Sequence, residues 1–411
     1  MSTTSKSLHI KPNDVRGYGK LAVDATQGVT ALVEAIHQRI ARPSMLFGHK
    51  VDERTSGITG LVYRSVREIT GAIGFGIDQT LQPLMPLLEK SLAQTSSSAA
   101  RDILIAAING VVGDHLEKSE NPLALQMTFR HLGRDLQLGP DELGAGIPDA
   151  RGHVLIAVHG LCMTDLQWSR EGYSHVDMLA QQLQATLVYL RYNSGRHISQ
   201  NGREFSSAME LLIANWPTKV TRITLLTHSM GGLVARSACH YGMQKQQGWL
   251  RKLKSVVFLG TPHHGAPLER GGNIFQRAVG VIPFAGPLSR LGMLRSAGVT
   301  DLRYGALIDE DWNRRDRFEH APDDRTVISL PPGVHYFAAA ATLGKSLGDA
   351  KDMLLGDGLV PVDSALGQHP ESARCLYFSP SQQALFREAS HWDLLYRKEV
   401  GEQVLQWLKR G

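Results

Sequence analysis

The sequence predicts an α/β fold, a mostly parallel sheet with helices on both faces, and three observations predict it. Apolar residues make up 42% and charged residues 20% of 411, enough to bury a sizeable core. From about Asn121 onward, short apolar runs alternate with helix-period patterns, the signature of strands joined by crossover helices. One run, Ile223 to Thr227, ends in His228-Ser229-Met230-Gly231-Gly232 and passes straight into helix-forming residues. That is strand, sharp turn, helix, with a serine at the apex.

In chain order, the first part reads as helical. Val29, Leu32, Val33, Ile36 and Ile40 form one stripe, and Ile58, Val62, Val66, Ile69, Ile73 and Ile77 a second. Ser96-Ser97-Ser98 precede a third, with Ile103, Leu104, Ile108, Val111 and Val112. Such stripes pack on each other or on a neighbouring domain. The sharper reading is an amphipathic arm in peripheral contact with a membrane, lipid droplet or granule surface. Residues 1–120 are therefore expected to be an N-terminal helical region and residues 121–411 the main domain.

In the main domain, Ala124 to Arg130 and Arg134 to Leu138 read as a strand pair around His131-Leu132-Gly133. His153 to Val158 is continuously apolar after its first residue, as a strand buried on both faces must be. Further strands are expected at Thr186 to Leu190, Arg222 to Leu226, Ser255 to Leu259, Val334 to Ala339 and Arg374 to Phe378. Val176 to Gln184, Glu204 to Ala214 and Asp393 to Lys409 read as helices. Residues 265–324 interrupt the alternation with apolar sequence broken by Gly and Pro. An insertion of that length is commonly functional, and a lid or cap is expected.

Net charge is +5 with no dense Lys/Arg block, so nucleic acid is not an expected partner. Cys162, Cys239 and Cys375 are an odd, scattered set rather than a disulfide framework. The first ten residues have one lysine and no apolar run behind it, so a cytoplasmic location is expected.

A serine hydroxyl is a poor nucleophile unless a base takes its proton and a third group orients that base. Candidate acids after Ser229 are Asp352, Asp357 and Asp363, and candidate bases are His335, His369 and His391. Asp357 is favoured because glycines flank it in Gly356-Asp357-Gly358 after a predicted strand. His391 lies just before the terminal helix. His228, beside the serine in sequence, is expected to pack against the neighbouring strand. His263 and His264 are adjacent and should point apart, unlike a metal pair on one helix face.

Thr227-His228-Ser229-Met230-Gly231-Gly232 resembles the nucleophile elbow of α/β-hydrolases in its lipase form, with Thr227 where a glycine usually stands. Gly356-Asp357-Gly358-Leu359-Val360-Pro361 and Ser390-His391-Trp392-Asp393 resemble the acid and base stretches of bacterial lipases. Gly260-Thr261-Pro262-His263-His264-Gly265 resembles a phrase shared by lipases and by deacylases of lipid-linked inositol. The resemblance covers roughly residues 121–411 and implies an α/β-hydrolase fold with a lid-like insertion, to which the helical stripes add an N-terminal helical extension. It implies Ser229, Asp357 and His391 as the catalytic triad, in the chain order serine, acid, histidine. By analogy with the His-Gly stretch of those lipases, His159-Gly160-Leu161 implies an oxyanion hole formed by the backbone N–H groups of Leu161 and Met230. The implied function is hydrolysis of ester or lipid substrates through an acyl-enzyme. Transfer of the acyl group to another alcohol, or a non-catalytic binding or scaffold role on the same fold, are the alternatives. Asp393 fits one calcium position of those lipases. No further ligands can be named for it, and the helix macrodipole is reason enough for an acid there. No metal and no cofactor is expected.

Overall fold

The computed structural model describes residues 13, 14, 16, 17, 20, 99–266, 296–313, 323–345 and 356–410. The first two helical stripes and most of the expected lid lie outside the described residues. By its contacts the chain forms two units, Met1–Arg101 with Leu116–Ala124, and Asp102–His115 with Leu125–Gly411. The division runs through a helix rather than at residue 120. Within the first unit, Arg101 donates to both carboxylate oxygens of Asp14 at 2.6 Å, and Asn121 Nδ2 donates to the Gly17 carbonyl at 3.1 Å.

The helix is α1 (Ala99–Lys118), kinked at Val112. After it come β1 (Thr128–His131), β2 (Arg134–Asp135), α2 (Pro140–Gly146), β3 (His153–Val158), β4 (Ser169–Arg170) and β5 (Tyr173–Ser174). Next are α3 (His175–Gln182), β6 (Thr186–Arg191), α4 (Ile198–Ala214), β7 (Arg222–His228), α5 (Met230–Gln244) and β8 (Leu253–Leu259). The chain closes with α6 (Ala297–Asp301), β9 (His335–Ala341), α7 (Val362–Ala365), β10 (Gln383–Phe386) and α8 (Lys398–Arg410). One sheet runs β10-β9-β8-β7-β3-β6-β1-β2. It is parallel from β10 to β6 and antiparallel from β6 to β2. Leu132 and Gly133 both have positive φ, 47° and 76°, which is how a two-residue hairpin loop joins β1 to β2.

The pleat divides the core. Val154, Ile156 and Val158 of β3 face Phe205 and Met209 of α4 and Leu233 and Val234 of α5. Leu155 and Ala157 face the other way, with Val176 and Leu179 of α3 and Val400, Val404 and Trp407 of α8. Because both faces are covered, the central strands read as unbroken apolar runs. Ser174 caps α3 by accepting from the Asp177 amide at 3.2 Å, the usual use of serine before a first turn.

Of the third sequence stripe, Ile108, Val111 and Val112 of α1 are buried and Ile103 is half-buried. A Cβ on Gly110 would lie 2.9 Å from the Cys162 backbone nitrogen, so α1 lies directly against the loop after β3. An ion network fixes its start, with Arg130 2.6 Å from Asp165 and 3.7 Å from Asp102, and Arg191 3.6 Å from Asp102.

Two strand expectations need correction. Arg374 to Phe378 is not a strand. Its Leu376 amide reaches the Gly367 carbonyl, Phe378 turns into the core and Tyr377 stands 83% exposed. The strand beside β9 is instead β10, whose four residues are each only half-buried. An edge strand of that kind shows no alternation to read.

Trp407 is 2% exposed, stacks on Phe337 at 5.2 Å and donates from Nε1 to the Ser381 carbonyl at 2.9 Å. Trp407→Ala leaves a large cavity under the sheet, and denaturant titration should show a loss of about 3–5 kcal/mol. A loss within error of zero would mean that α8 does not hold that face.

Candidate active site

β7 runs to His228, and α5 begins at Met230, so Ser229 alone makes the turn. Its backbone sits at φ 54°, ψ −127°, a left-handed conformation that costs a side-chain-bearing residue about 1–3 kcal/mol. Neighbours without side chains make it possible. A Cβ on Gly231 would strike the carbonyls of Val158 and His159, and one on Gly232 would strike the Thr261 side chain. The Ser229 amide donates to the Leu259 carbonyl at 2.8 Å, which ties the turn to β8. Thr227, where a glycine was expected, fits without disturbing the turn. It is fully buried, and its Oγ1 donates to the Val257 carbonyl at 3.0 Å.

Asp357 and His391 meet. His391 Nδ1 lies 2.6 Å from Asp357 Oδ2, and both side chains are buried. A carboxylate can only accept, so Nδ1–H donates and Nε2 is left as the basic nitrogen. The backbone repeats the link, the His391 amide donating to the Asp357 carbonyl at 3.0 Å. The other carboxylate oxygen, Oδ1, accepts from the amides of Leu359 at 2.9 Å and Val360 at 2.8 Å. Gly356 and Gly358 have φ of 50° and 95°, which lets the chain fold its amides around the acid. Of the rival acids, Asp363 is exposed on α7 and Asp352 lies outside the described residues. Of the rival bases, His335 is exposed at the far end of β9, and His369 lies 3.9 Å from Asp323.

Ser229 reaches the same end of the sheet. A Cβ on Gly260 would lie 3.0 Å from His391 Cε1, and Gly260 directly follows the Leu259 that holds the Ser229 amide. Among the described residues no hydrogen bond joins Ser229 Oγ to the imidazole.

His228 does not simply pack against a strand, as the sequence suggested. Its ring lies 4.6 Å from that of His391, and its Nε2–H donates to the His391 carbonyl at 3.2 Å. Burial, followed by the proximity of His391, holds its pKa well below the ordinary histidine value. It is therefore a neutral donor that holds the backbone of His391. No pattern in the sequence distinguishes it from a core histidine. Asp393 also has a local task, its Oδ2 accepting from the Ser390 amide and hydroxyl, both at 2.7 Å.

The His159-Gly160-Leu161 turn presses on the elbow, since a Cβ on Gly160 would lie 3.0 Å from Ser229 Cβ. His159 stacks on Tyr192 at 4.4 Å, and its Nδ1–H donates to the Gly160 carbonyl at 2.8 Å. The peptide is planar and trans, so holding that carbonyl fixes the opposite direction of the Leu161 N–H. Met230 is the first residue of α5, where an N–H has no carbonyl one turn back. His263 and His264 diverge as expected, His263 against Phe258 at 4.7 Å and His264 against His369 at 4.9 Å. Among the described residues no group of three or more His, Cys, Asp or Glu side chains could hold a metal ion, and no helix is long and apolar enough to cross a membrane.

A mostly parallel sheet with this strand order, and a strained serine between β7 and α5, give the chain the α/β-hydrolase fold. Residues 149–329, which span β3 to β8 and the segment after it, match the family described as PGAP1-like alpha/beta domain. No curated protein matches the sequence. Among solved structures, the mature lipase BlEst2 of Bacillus licheniformis is 16% identical over 61% of this chain and 91% of its own, with a TM-score of 0.38. The Pyrococcus furiosus esterase Pf2001 is 14% identical over 63% of this chain and 83% of its own, with a TM-score of 0.36. The Legionella pneumophila phospholipase PlaB is 18% identical over 52% of this chain and 45% of its own, with a TM-score of 0.35. The strand order and the turn at Ser229 define the fold, not these likenesses.

Burial lowers the pKa of His159 to about 4, against only a partial opposing effect from its bond to Gly160. Between about pH 4 and 6.5 the unfolded chain therefore binds a proton that the folded chain does not, and stability falls as pH drops through that window. The contribution is complete above about pH 6.5, and each unit of displacement is worth about 1.4 kcal/mol. Urea midpoints should fall from pH 7.5 to pH 5, and less steeply in His159→Gln. Equal slopes for the two proteins would mean that His159 is not buried neutral.

Proposed function

We propose that the protein is a serine hydrolase that cleaves carboxylic esters, lipid esters among them, through an acyl-enzyme. The observation that carries this reading is the buried Asp357–His391 pair, held at 2.6 Å at the same end of the sheet as the strained Ser229. Ser229 Oγ attacks the ester carbonyl while His391 Nε2 takes its proton, once the hydroxyl has rotated toward the ring. Apo geometry at such sites is often looser than in the reacting complex. Asp357 keeps the ring in the right tautomer and stabilises the imidazolium that forms. The N–H groups of Leu161 and Met230 receive the oxyanion, and the dipole of α5 adds to them. His391 then returns the proton to the leaving alcohol. A water molecule activated by the same nitrogen releases the acid and restores Ser229.

His228 and His159 act one step away as positioning residues. The first holds the backbone of the base, and the second orients the Leu161 peptide.

A chain-length series of nitrophenyl esters tests the reading. Wild type should turn them over, and Ser229→Ala should lose at least about 10³-fold in kcat, as expected when a covalent nucleophile is removed. Asp357→Asn, which breaks the tautomer but keeps the shape, should lose about 10⁴-fold by the same logic. Comparable turnover by wild type and Ser229→Ala would sink the proposal.

A further inference from the structure

Arg236 is a cation without an anion. It lies on α5, two turns beyond Ser229, and is only 7% exposed. Its Nη2 donates to the Ile328 carbonyl at 3.1 Å, and its Nη1 lies 3.4 Å from His263 Nδ1. Nε has no partner. Among the described residues no carboxylate reaches it. The charge that acts on it is Arg325, and the groups that offset it are the thiol of Cys239 and the phenol of Tyr336. Burial raises the pKa of both of those groups far enough to keep them neutral. Burial, then Arg325, pulls Arg236 itself down to about 9.

Its neighbours are provided for. Arg325 makes a two-point pair with Asp323, at 2.8 Å for each bond. Arg374 pairs with Glu371 at 3.0 Å and also feels Asp323 and Asp324. His263 is fully buried. An arginine can only donate, so His263 Nδ1 must accept, which leaves its proton on Nε2. That Nε2 is buried without a partner. An unpaired buried cation and an orphan donor side by side are each costly, and natural interiors provide for such groups with an acceptor.

Both residues line one cleft of about 400 Å³, bounded also by Arg325, Tyr336, Val327 and Tyr377. Its outer wall is apolar and open, with Val327 52% and Tyr377 83% exposed. None of Ser229, Asp357 and His391 lines this cleft, and Arg236 lies about 10 Å along α5 from Ser229, so the cleft is separate from the proposed ester-cleaving site. We propose that it binds an oxyanion carried on a small apolar body, a carboxylate or a phosphate monoester, with Arg236 as its counter-ion and Val327 and Tyr377 against the apolar part. A guanidinium suits either head group, since its fork matches two oxygens of a planar or tetrahedral anion.

Isothermal titration of the full chain with octanoate, octyl phosphate and inorganic phosphate, at constant ionic strength set by chloride, tests this. One-site saturable binding of an octyl ligand is expected. It should weaken at least about tenfold, or about 1.4 kcal/mol, in Arg236→Gln. It should weaken equally in Val327→Glu, where the new carboxylate occupies the anion's place from an exposed position. If Arg236→Gln does not fold, Val327→Glu, its fold checked by circular dichroism, decides alone. Octanoate or octyl phosphate binding alone supports the site and assigns its head group. Inorganic phosphate binding as tightly as octyl phosphate overturns the role of the apolar wall. No saturable binding, or binding that survives either substitution, overturns the site.

Discussion

The constraint on which the rest of the structure depends is the left-handed backbone of Ser229. A residue with a side chain resists that conformation, so its surroundings must supply the missing room. They do so with glycines. Gly160 lets the loop after β3 approach Ser229, Gly231 lets α5 start against the carbonyls of β3, and Gly260 lets the imidazole of His391 close over the end of β8. The same glycines let the loop after β3, the start of α5 and the His391 loop close in around the turn. Strain at the turn and assembly of the site have one cause.

Around the turn, three histidines do two different jobs because their surroundings differ. His391 faces a carboxylate, which fixes its tautomer and leaves Nε2 free. His228 and His159 face backbone carbonyls in a dry interior, where the charged form is unfavourable, so each serves as a neutral donor that fixes a peptide. His391 is oriented through its side chain by Asp357 and through its backbone by both Asp357 and His228. Such double anchoring is what keeps a reactive group within the small tolerance that proton transfer demands.

Much of this was legible in the sequence. β3 could be read directly because a strand covered on both faces has no polar alternation to obscure it. The turn around Asp357 was legible because a glycine on each side lets amides wrap a carboxylate. What could not be read was anything decided by a neighbour distant in sequence. Arg374 to Phe378 has the apolar content of a strand but no free ladder to join, while β10 joins the ladder with little apolar signal. His228 looks like any core histidine until the carbonyl of His391 is seen above it. Nothing in the sequence around Arg236 signals that its charge is enclosed, and only packing shows it. The third apolar stripe looked like part of an appendage, and Gly110 shows why it is not. Its missing side chain lets α1 lie on the loop that presents Leu161.

The central claim is that one hydroxyl, at Ser229, is chemically activated by the His391–Asp357 pair. Incubating the full chain with a fluorophosphonate, followed by intact mass measurement and peptide mapping, tests it most directly. The account predicts a single adduct on Ser229, formed at a rate that collapses in His391→Ala while the fold is retained. An unmodified protein, an adduct on another residue, or labelling of Ser229 that is indifferent to the loss of His391 would contradict it.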